Sequence, residues 1–441
     1  MSVDFSFAEN NRKLILDTLA HIWKNPETGY REWKTHAYLA EVFEALGYTI
    51  TPAGNIPGFI TEIDTGREGP TLAIFGEMDA LLIPGHPESD PQTGAVHACG
   101  HCAQCAALVG VAAALKQPGA IDGLSGKIRL IVVPAEELIE SEYRLALREQ
   151  GIIKYLGGKP EFLYRGLLDG VDLSFMVHTG SRSFINCGSN GLVAKIVTFQ
   201  GVSAHAGGAP HNGINALYAA NLALNAINAL RETFQDQNHI RVHPIITSGG
   251  SSVNAIPDKV VVESYVRGAD MPAIQDVNNR VNRACAGAAA AMGASVHIKD
   301  FPGYWPRNYG ADFVQVFTDA AQQAGVDFKI ENNWGTGCSD MGDICSVMPA
   351  LHPTVGGSEG AAHGINYRIA DPELACVGSA KWQYAALRML LENGGEKARQ
   401  IVKDYKPFFQ SKEEYFIYMD RLNKDNQAVS YGQDGKIVLE Y

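Results

Sequence analysis

Three short apolar runs, 69–81, 126–137 and 171–180, are separated along the chain by helical stretches. Strands alternating with helices predict an α/β layered domain with a mostly parallel sheet. In such sheets ligands bind off the carboxyl ends of the strands. Here each run leads into side chains that can hold a metal or move a proton. Glu77 and Asp79 follow the first, Glu136 and Glu137 the second, and His178 stands at the end of the third. Adjacent residues at a strand end point to opposite sides. One glutamate of the pair is therefore free to bind metal while its neighbour faces a substrate.

The pattern changes between 188 and 300. The strand 191–199 precedes a helix over 213–230, with Ile214, Leu217, Leu224 and Ile227 on one stripe. Strands at 241–247 and 258–268, a helix over 272–293 and a strand at 294–300 complete the order β-α-β-β-α-β. That is the split βαβ arrangement of a ferredoxin-like domain, here inserted into the first. The α/β pattern resumes with a helix at 311–324, glycine-rich loops at 335–342 and 356–364, and a closing helix at 371–393. The expected organisation is a discontinuous domain of 1–187 and 301–400, an insertion of 188–300, and a charged, irregular tail of 401–441 without a functional reading.

The formal net charge of −12 argues against a nucleic-acid partner, since phosphate binding needs a basic surface. No apolar run is long enough to span a bilayer, and the N-terminus lacks a basic start followed by an apolar core. The expectation is a cytoplasmic protein without a membrane partner. Its eight cysteines are then reduced thiols or metal ligands.

The stretch HACGHCAQC, 97–105, holds two histidines and three cysteines. Cys99, Cys102 and Cys105 have the C-x₂-C-x₂-C spacing of some iron–sulfur loops, but AALVG follows instead of the fourth cysteine and proline. A zinc ribbon wants a second C-x₂-C pair, and none exists. Cys102 and Cys105 suit a redox pair. They also fall one turn apart, on one face with Ala106 and Val109 of the apolar helical stretch 105–115, where thiols pack as small apolar groups. Cys99 and His101 precede that helix in a glycine-containing loop. With Glu136, Glu137, His178 and His363, the last in the loop GSEGAAHGIN, four separate loops and strand ends offer thiolate, imidazole and carboxylate to one rim.

The segments GEMDAL, HACGH, PAEE, FMVHTG, GVSAHAGGAPHNGINAL, GGSSVNAIPD, YVRGADM, GCSDMGDICSVMPALHP and AAHGIN run in one order over about residues 10–390. In this the chain resembles the dinuclear metallo-amidohydrolases that include aminoacylase, dipeptidases and glutamate carboxypeptidases. It looks closest to the branch of hippurate hydrolase, indole-acetyl-amino-acid hydrolases and p-aminobenzoyl-glutamate hydrolase.

The resemblance implies a zinc-exopeptidase-like catalytic domain with the ferredoxin-like insertion as lid and dimerisation domain. It implies metal ligands Cys99, His101, Glu137, His178 and His363, with Glu136 as general base. His205 would reach the scissile carbonyl, in the partner subunit's site, and Asn254 and Arg267 would hold the substrate carboxylate. Three features depart from the family pattern. Cys102 stands where Asp or Asn is usual, Glu77 replaces the branch's common residue, and His211 is a second histidine in the lid loop.

The implied reaction is hydrolysis of an N-acyl amino acid or dipeptide-like amide with release of a free amino acid. Two divalent ions sharing a water lower its pKa and stabilise the oxyanion. A thiolate beside imidazoles and a carboxylate suits zinc and accommodates manganese. Glu136 would carry the water proton to the leaving nitrogen. Asp79 is a candidate to orient a histidine ligand, or to cap the helix start; Asp340 in CSDMGD is similarly open. The expected assembly is a homodimer or higher homo-oligomer through the lid. The competing reading is a catalytically degraded amide-binding protein of the same fold, for which Cys102 speaks most directly.

Overall fold

The computed structural model describes residues 3–440, and the chain divides into two compact units. The first comprises residues 3–188, 308–333 and 339–412; the second comprises 189–307, 334–338 and 413–440. Among the described residues no helix is long and apolar enough to cross a membrane.

The first unit is built on a six-stranded sheet. Its order is Thr51–Pro52, Phe59–Asp64, Lys127–Val133, Thr71–Glu77, Leu173–Phe175 and Ala350–Leu351. Thr71–Glu77 runs parallel to both its neighbours, and Leu173–Phe175 runs parallel to Ala350–Leu351. Phe59–Asp64 turns the edge antiparallel. Every residue of Thr71–Glu77 is buried, as expected of a central parallel strand covered on both faces.

The helix His101–Leu115 packs on that strand and against the helices Arg12–Trp23 and Ser379–Leu391. All fifteen of its residues are buried. Alanine dominates it, which favours the helix and leaves room for close neighbours. Cys102 and Cys105 lie fully buried in this apolar core. The helix begins at His101, so that histidine is its first residue and does not precede it. Gly100 leads in with φ 89°, and a Cβ there would stand 2.5 Å from the Tyr367 hydroxyl.

The second strand ends at Val133, so Glu136 and Glu137 sit in a turn beyond it, after Ala135 at φ 60°. The third run splits. Leu173–Phe175 stays in the main sheet, whereas His178–Thr179 pairs in parallel with Thr354–Val355 in a smaller sheet. Part of the loop expected at 335–342 is helical, since Met341–Val347 forms a short helix.

The second unit carries the β-α-β-β-α-β run on an antiparallel sheet. Its order is Arg241–Val242, Lys259–Gly268, Gly191–Gln200, Ser295–Pro302, Lys424–Tyr431 and Ile437–Leu439. Ile245–Ser248 also pairs with Lys259–Gly268. The helices Ala216–Leu230 and Met271–Ala291 pack on each other and on the strands. Asn215 and Asp270 cap them by accepting the amides of Tyr218 and Ala273. The end of the chain is not irregular. Lys424–Tyr431 adds to the sheet beside Ser295–Pro302 and turns into Ile437–Leu439.

Candidate metal centre

In the first unit the strand ends and loops bring six of the expected side chains together. Cys99, His101 and His178 form one group whose ligand atoms lie within 4.8 Å of one another. Cys99, Glu137 and His363 form a second on the same criterion. The Cys99 sulfur belongs to both and lies 3.4 Å from His178 Nε2. His363 Nε2 is 3.1 Å from Glu137 Oε1, and Glu136 Oε2 is 3.8 Å from His101 Nε2. The neighbouring glutamates thus reach different partners.

Asp79 ties the two halves together. Its Oδ1 and its main-chain carbonyl lie 3.1 and 2.9 Å from His101 Nδ1, and its Oδ2 accepts the Glu137 amide at 2.7 Å. Both neighbours of Nδ1 are acceptors, so Nδ1 carries the proton and a neutral ring keeps its lone pair on Nε2. The helix start takes no side-chain cap, so Asp79 does not act there. His363 has φ 61°, and its amide donates to the Ala98 carbonyl at 2.9 Å, joining two of the loops. Backbone strain of this kind collects where function over-determines the fold.

The residues fit a pair of cations. The buried His101 Nε2 receives no hydrogen bond, and the buried Glu137 Oε1 is met only by the ring nitrogen of another candidate ligand, His363 Nε2 at 3.1 Å. Such orphaned atoms are costly unless something electropositive meets them. Burial, then the nearby Glu137 carboxylate, pushes the Cys99 thiol well above its usual range. A thiolate there therefore needs a compensating cation. Burial, then Glu77, Glu137 and Asp340, holds the Glu136 carboxyl well above the usual carboxylate range. That places it among groups suited to take and return a proton.

A third group, Glu77 with His101 and Glu136, also lies within 4.8 Å. Glu77 Oε2 stands 3.2 Å from His101 Nε2 and accepts from Gln104 Nε2 at 2.9 Å. Its Oε1 is bonded by the ammonium of Lys159, which also bonds Asp340; all three residues are fully buried. The protein itself thus supplies a cation at this group. Burial opposes ionisation of Glu77, but Lys159 and then His101 bring it down to about 2. Burial raises Asp340 to about 6 against the pull of Lys159. Lys159, Gln104 and the role of Glu77 were not readable from the sequence, because a lysine in GGKP carries no mark of burial.

His205, Asn254 and Arg267 lie in the second unit. His205 Nδ1 accepts the amides of Gly208 at 2.9 Å and Gly207 at 3.2 Å, which leaves the ring proton on Nε2. His205 bridges to Ala255, and Ala206 donates to the Asn254 carbonyl at 2.9 Å. Those two residues are therefore neighbours. Arg267 lies on Lys259–Gly268, with its buried Nε free of hydrogen bonds. His211 is exposed in the short turn Pro210–Asn212.

The combination of a parallel sheet, helices on its faces and a thiolate–imidazole–carboxylate cluster off the strand ends defines an α/β metallohydrolase class. Residues 73–387 match the family described as peptidase family M20/M25/M40, and the chain belongs to it. It is 29% identical over 385 residues to a human Xaa-Arg dipeptidase, covering 83% of this chain and 81% of that protein. It is 29% identical over 404 residues to an N-acetyl-L-cysteine deacetylase of Bacillus subtilis, covering 87% and 90%. Among solved structures, a dinuclear metal-binding M20 peptidase of Bacillus subtilis superposes with a TM-score of 0.62 at 22% identity. That match covers 88% of this chain and 99% of the other.

Proposed function

We propose that this protein is a metal-dependent amidohydrolase that cleaves N-acyl amino acids or dipeptide-like amides and releases a free amino acid. The observation that carries the reading is the sharing of Cys99 between two ligand groups. One cation would be held by Cys99, His101 and His178, the other by Cys99, Glu137 and His363. The mixed thiolate, imidazole and carboxylate set suits zinc and accommodates manganese. When bound, two such ions lower the pKa of water and stabilise negative charge on a carbonyl oxygen. The dipeptidase and deacetylase relatives support the substrate class.

Glu136 takes the proton of the attacking water and returns it to the leaving nitrogen. Asp79 fixes the His101 tautomer from behind, as second-sphere carboxylates do. The second unit is read as a ferredoxin-like lid and dimerisation domain. His205 Nε2–H donates to the developing oxyanion in the partner subunit's site, and Asn254 and Arg267 hold the substrate carboxylate. For dimerisation the support lies in Ile245 and Ile246, 62% and 40% exposed on the strand Ile245–Ser248, and in Tyr218 and Leu222, exposed on the helix Ala216–Leu230. An apolar exposed edge strand is a pairing surface.

The test is amino-acid release from a panel of acylated amino acids and dipeptides, with metal content measured on the same sample. Glu136→Gln abolishes turnover and keeps both cations. Undiminished hydrolysis after full chelation rejects the mechanism.

A further inference from the structure

The turn that carries Glu136 and Glu137 is held by charged side chains that belong to neither of the two ligand groups. Arg144, on the helix Ser141–Glu149, is fully buried. Its Nη1 donates to the carbonyls of Ala135 at 3.3 Å and Leu156 at 2.8 Å, and its Nη2 donates to the carbonyl of Glu137. Glu32, also fully buried, accepts the Ala135 amide at 2.8 Å. Asp79 accepts the Glu137 amide at 2.7 Å. All four main-chain polar groups flanking Glu136 are therefore bonded to a charged side chain. Ala135 stands at φ 60°, a left-handed conformation that a non-glycine residue adopts only where its surroundings hold it there.

We propose that Arg144 is a positioning residue for the metal centre. Its planar fork bridges the carbonyls on either side of Glu136. That fixes the turn so that Glu136 faces His101 while Glu137 faces Cys99 and His363. A lysine is a point charge on a flexible stem and cannot span two carbonyls in this way. Gly29 belongs to the same device. A Cβ at Gly29 would lie 2.2 Å from Arg144 Nη2 and 2.9 Å from Ala135 Cα, so the guanidinium reaches the turn only because that side chain is missing.

The inference rests on the proposed cation pair, and two variants of the full chain separate them. Arg144→Lys keeps the charge and removes the fork. Gly29→Ala keeps the arginine and displaces it. Each protein is loaded with cobalt(II), titrated against a chelator and followed by the thiolate-to-cobalt absorption of Cys99. Both variants retain the absorption and the tighter cation. Both lose affinity for the second, Glu137-side cation by roughly 10–100-fold, the usual scale for a lost second-sphere contact. Their kcat falls at least about tenfold while KM moves less than about threefold, because the substrate contacts are untouched. Folded variants with two cations at parental affinity and parental kcat overturn the proposal. So does failure of both variants to fold, which makes Arg144 a folding determinant and not a positioning residue. A parent protein that binds two cations yet hydrolyses nothing defeats the proposed function alone, since the cobalt titration still reads the turn.

Discussion

Lys159→Met is the perturbation with the largest stability effect worked from this structure. The ammonium bonds Glu77 and Asp340, and all three side chains are fully buried. Removing it leaves two carboxyl groups without their cation, beside a third at Glu136. Breaking a buried ion pair on one side costs about 3–5 kcal/mol. For a unit of this size, about 2 °C of Tm is lost per kcal/mol, so the transition moves down by roughly 6–10 °C. The deficit depends on pH with a definite sign. Glu77 sits at about 2 in the parent, below the 4.5 of a free glutamate. Its stabilisation is fully present above that ordinary value and fades as pH falls towards 2. In the variant both carboxyls take up protons more readily, so parent and variant converge on acidification and diverge towards pH 8. Calorimetry of the metal-free proteins at pH 5, 6.5 and 8 measures this. The triple change Glu77→Gln, Lys159→Met, Asp340→Asn recovers most of the loss, because replacing a whole buried ion cluster costs less than removing one member. A variant that melts within about 2 °C of the parent at every pH refutes the reasoning.

Two further outcomes follow from the same contacts. Asp79→Ala removes the carboxylate acceptors of His101 Nδ1 and of the Glu137 amide together, leaving His101 only the main-chain carbonyl. Zinc affinity by chelator competition should fall roughly 10–100-fold. Cys102→Ala should leave kcat and metal stoichiometry unchanged and lower stability by about 1–2 kcal/mol in denaturant titration, because the thiol lies in an apolar core and burial pushes it to about 12.

Much of the architecture was legible because apolar periodicity reports burial directly. The strands 71–77 and 127–133 and the helices 216–230 and 271–291 fall where their patterns place them. The C-terminal hairpin carried a readable signal too. Asp434-Gly435 lies between two short apolar runs, and Gly432 donates to the Lys436 carbonyl across the turn. The charge of that segment hid it. The six members of the metal centre were legible as residue types suited to one chemistry. Their support was not. Lys159, Arg144 and Glu32 look like surface residues, and nothing local tells a solvated charge from one enclosed by three distant segments. Gly29 and Ala135 are likewise ordinary in sequence, yet one must lack a side chain and the other must bend left-handed.

The buried charges around the centre argue for the cations on their own, and they lead to a last prediction. Six carboxyl groups are enclosed there: Glu32, Glu77, Asp79, Glu136, Glu137 and Asp340. Among the described residues, Lys159 and Arg144 are the permanent buried cations that contact this set. Six negative against two positive leaves a formal charge of about −4 before Cys99 is counted, a load that buried groups shed by taking up protons. Without metal, Glu32, Glu136 and the Cys99 thiol are all driven upward, each chiefly by burial. Two divalent ions would supply four positive charges at this place. Loading them must then expel protons, at least about one per chain at neutral pH from Cys99 alone, since a thiol binds metal only as thiolate. The release measured by pH-indicator titration should grow as the starting pH falls from 8 to 6, as more of the carboxyls begin protonated. In Cys99→Ser it should drop by about one. Metal uptake without proton release would mean that these groups are already ionised, and the electrostatic case for two cations at Cys99 would collapse.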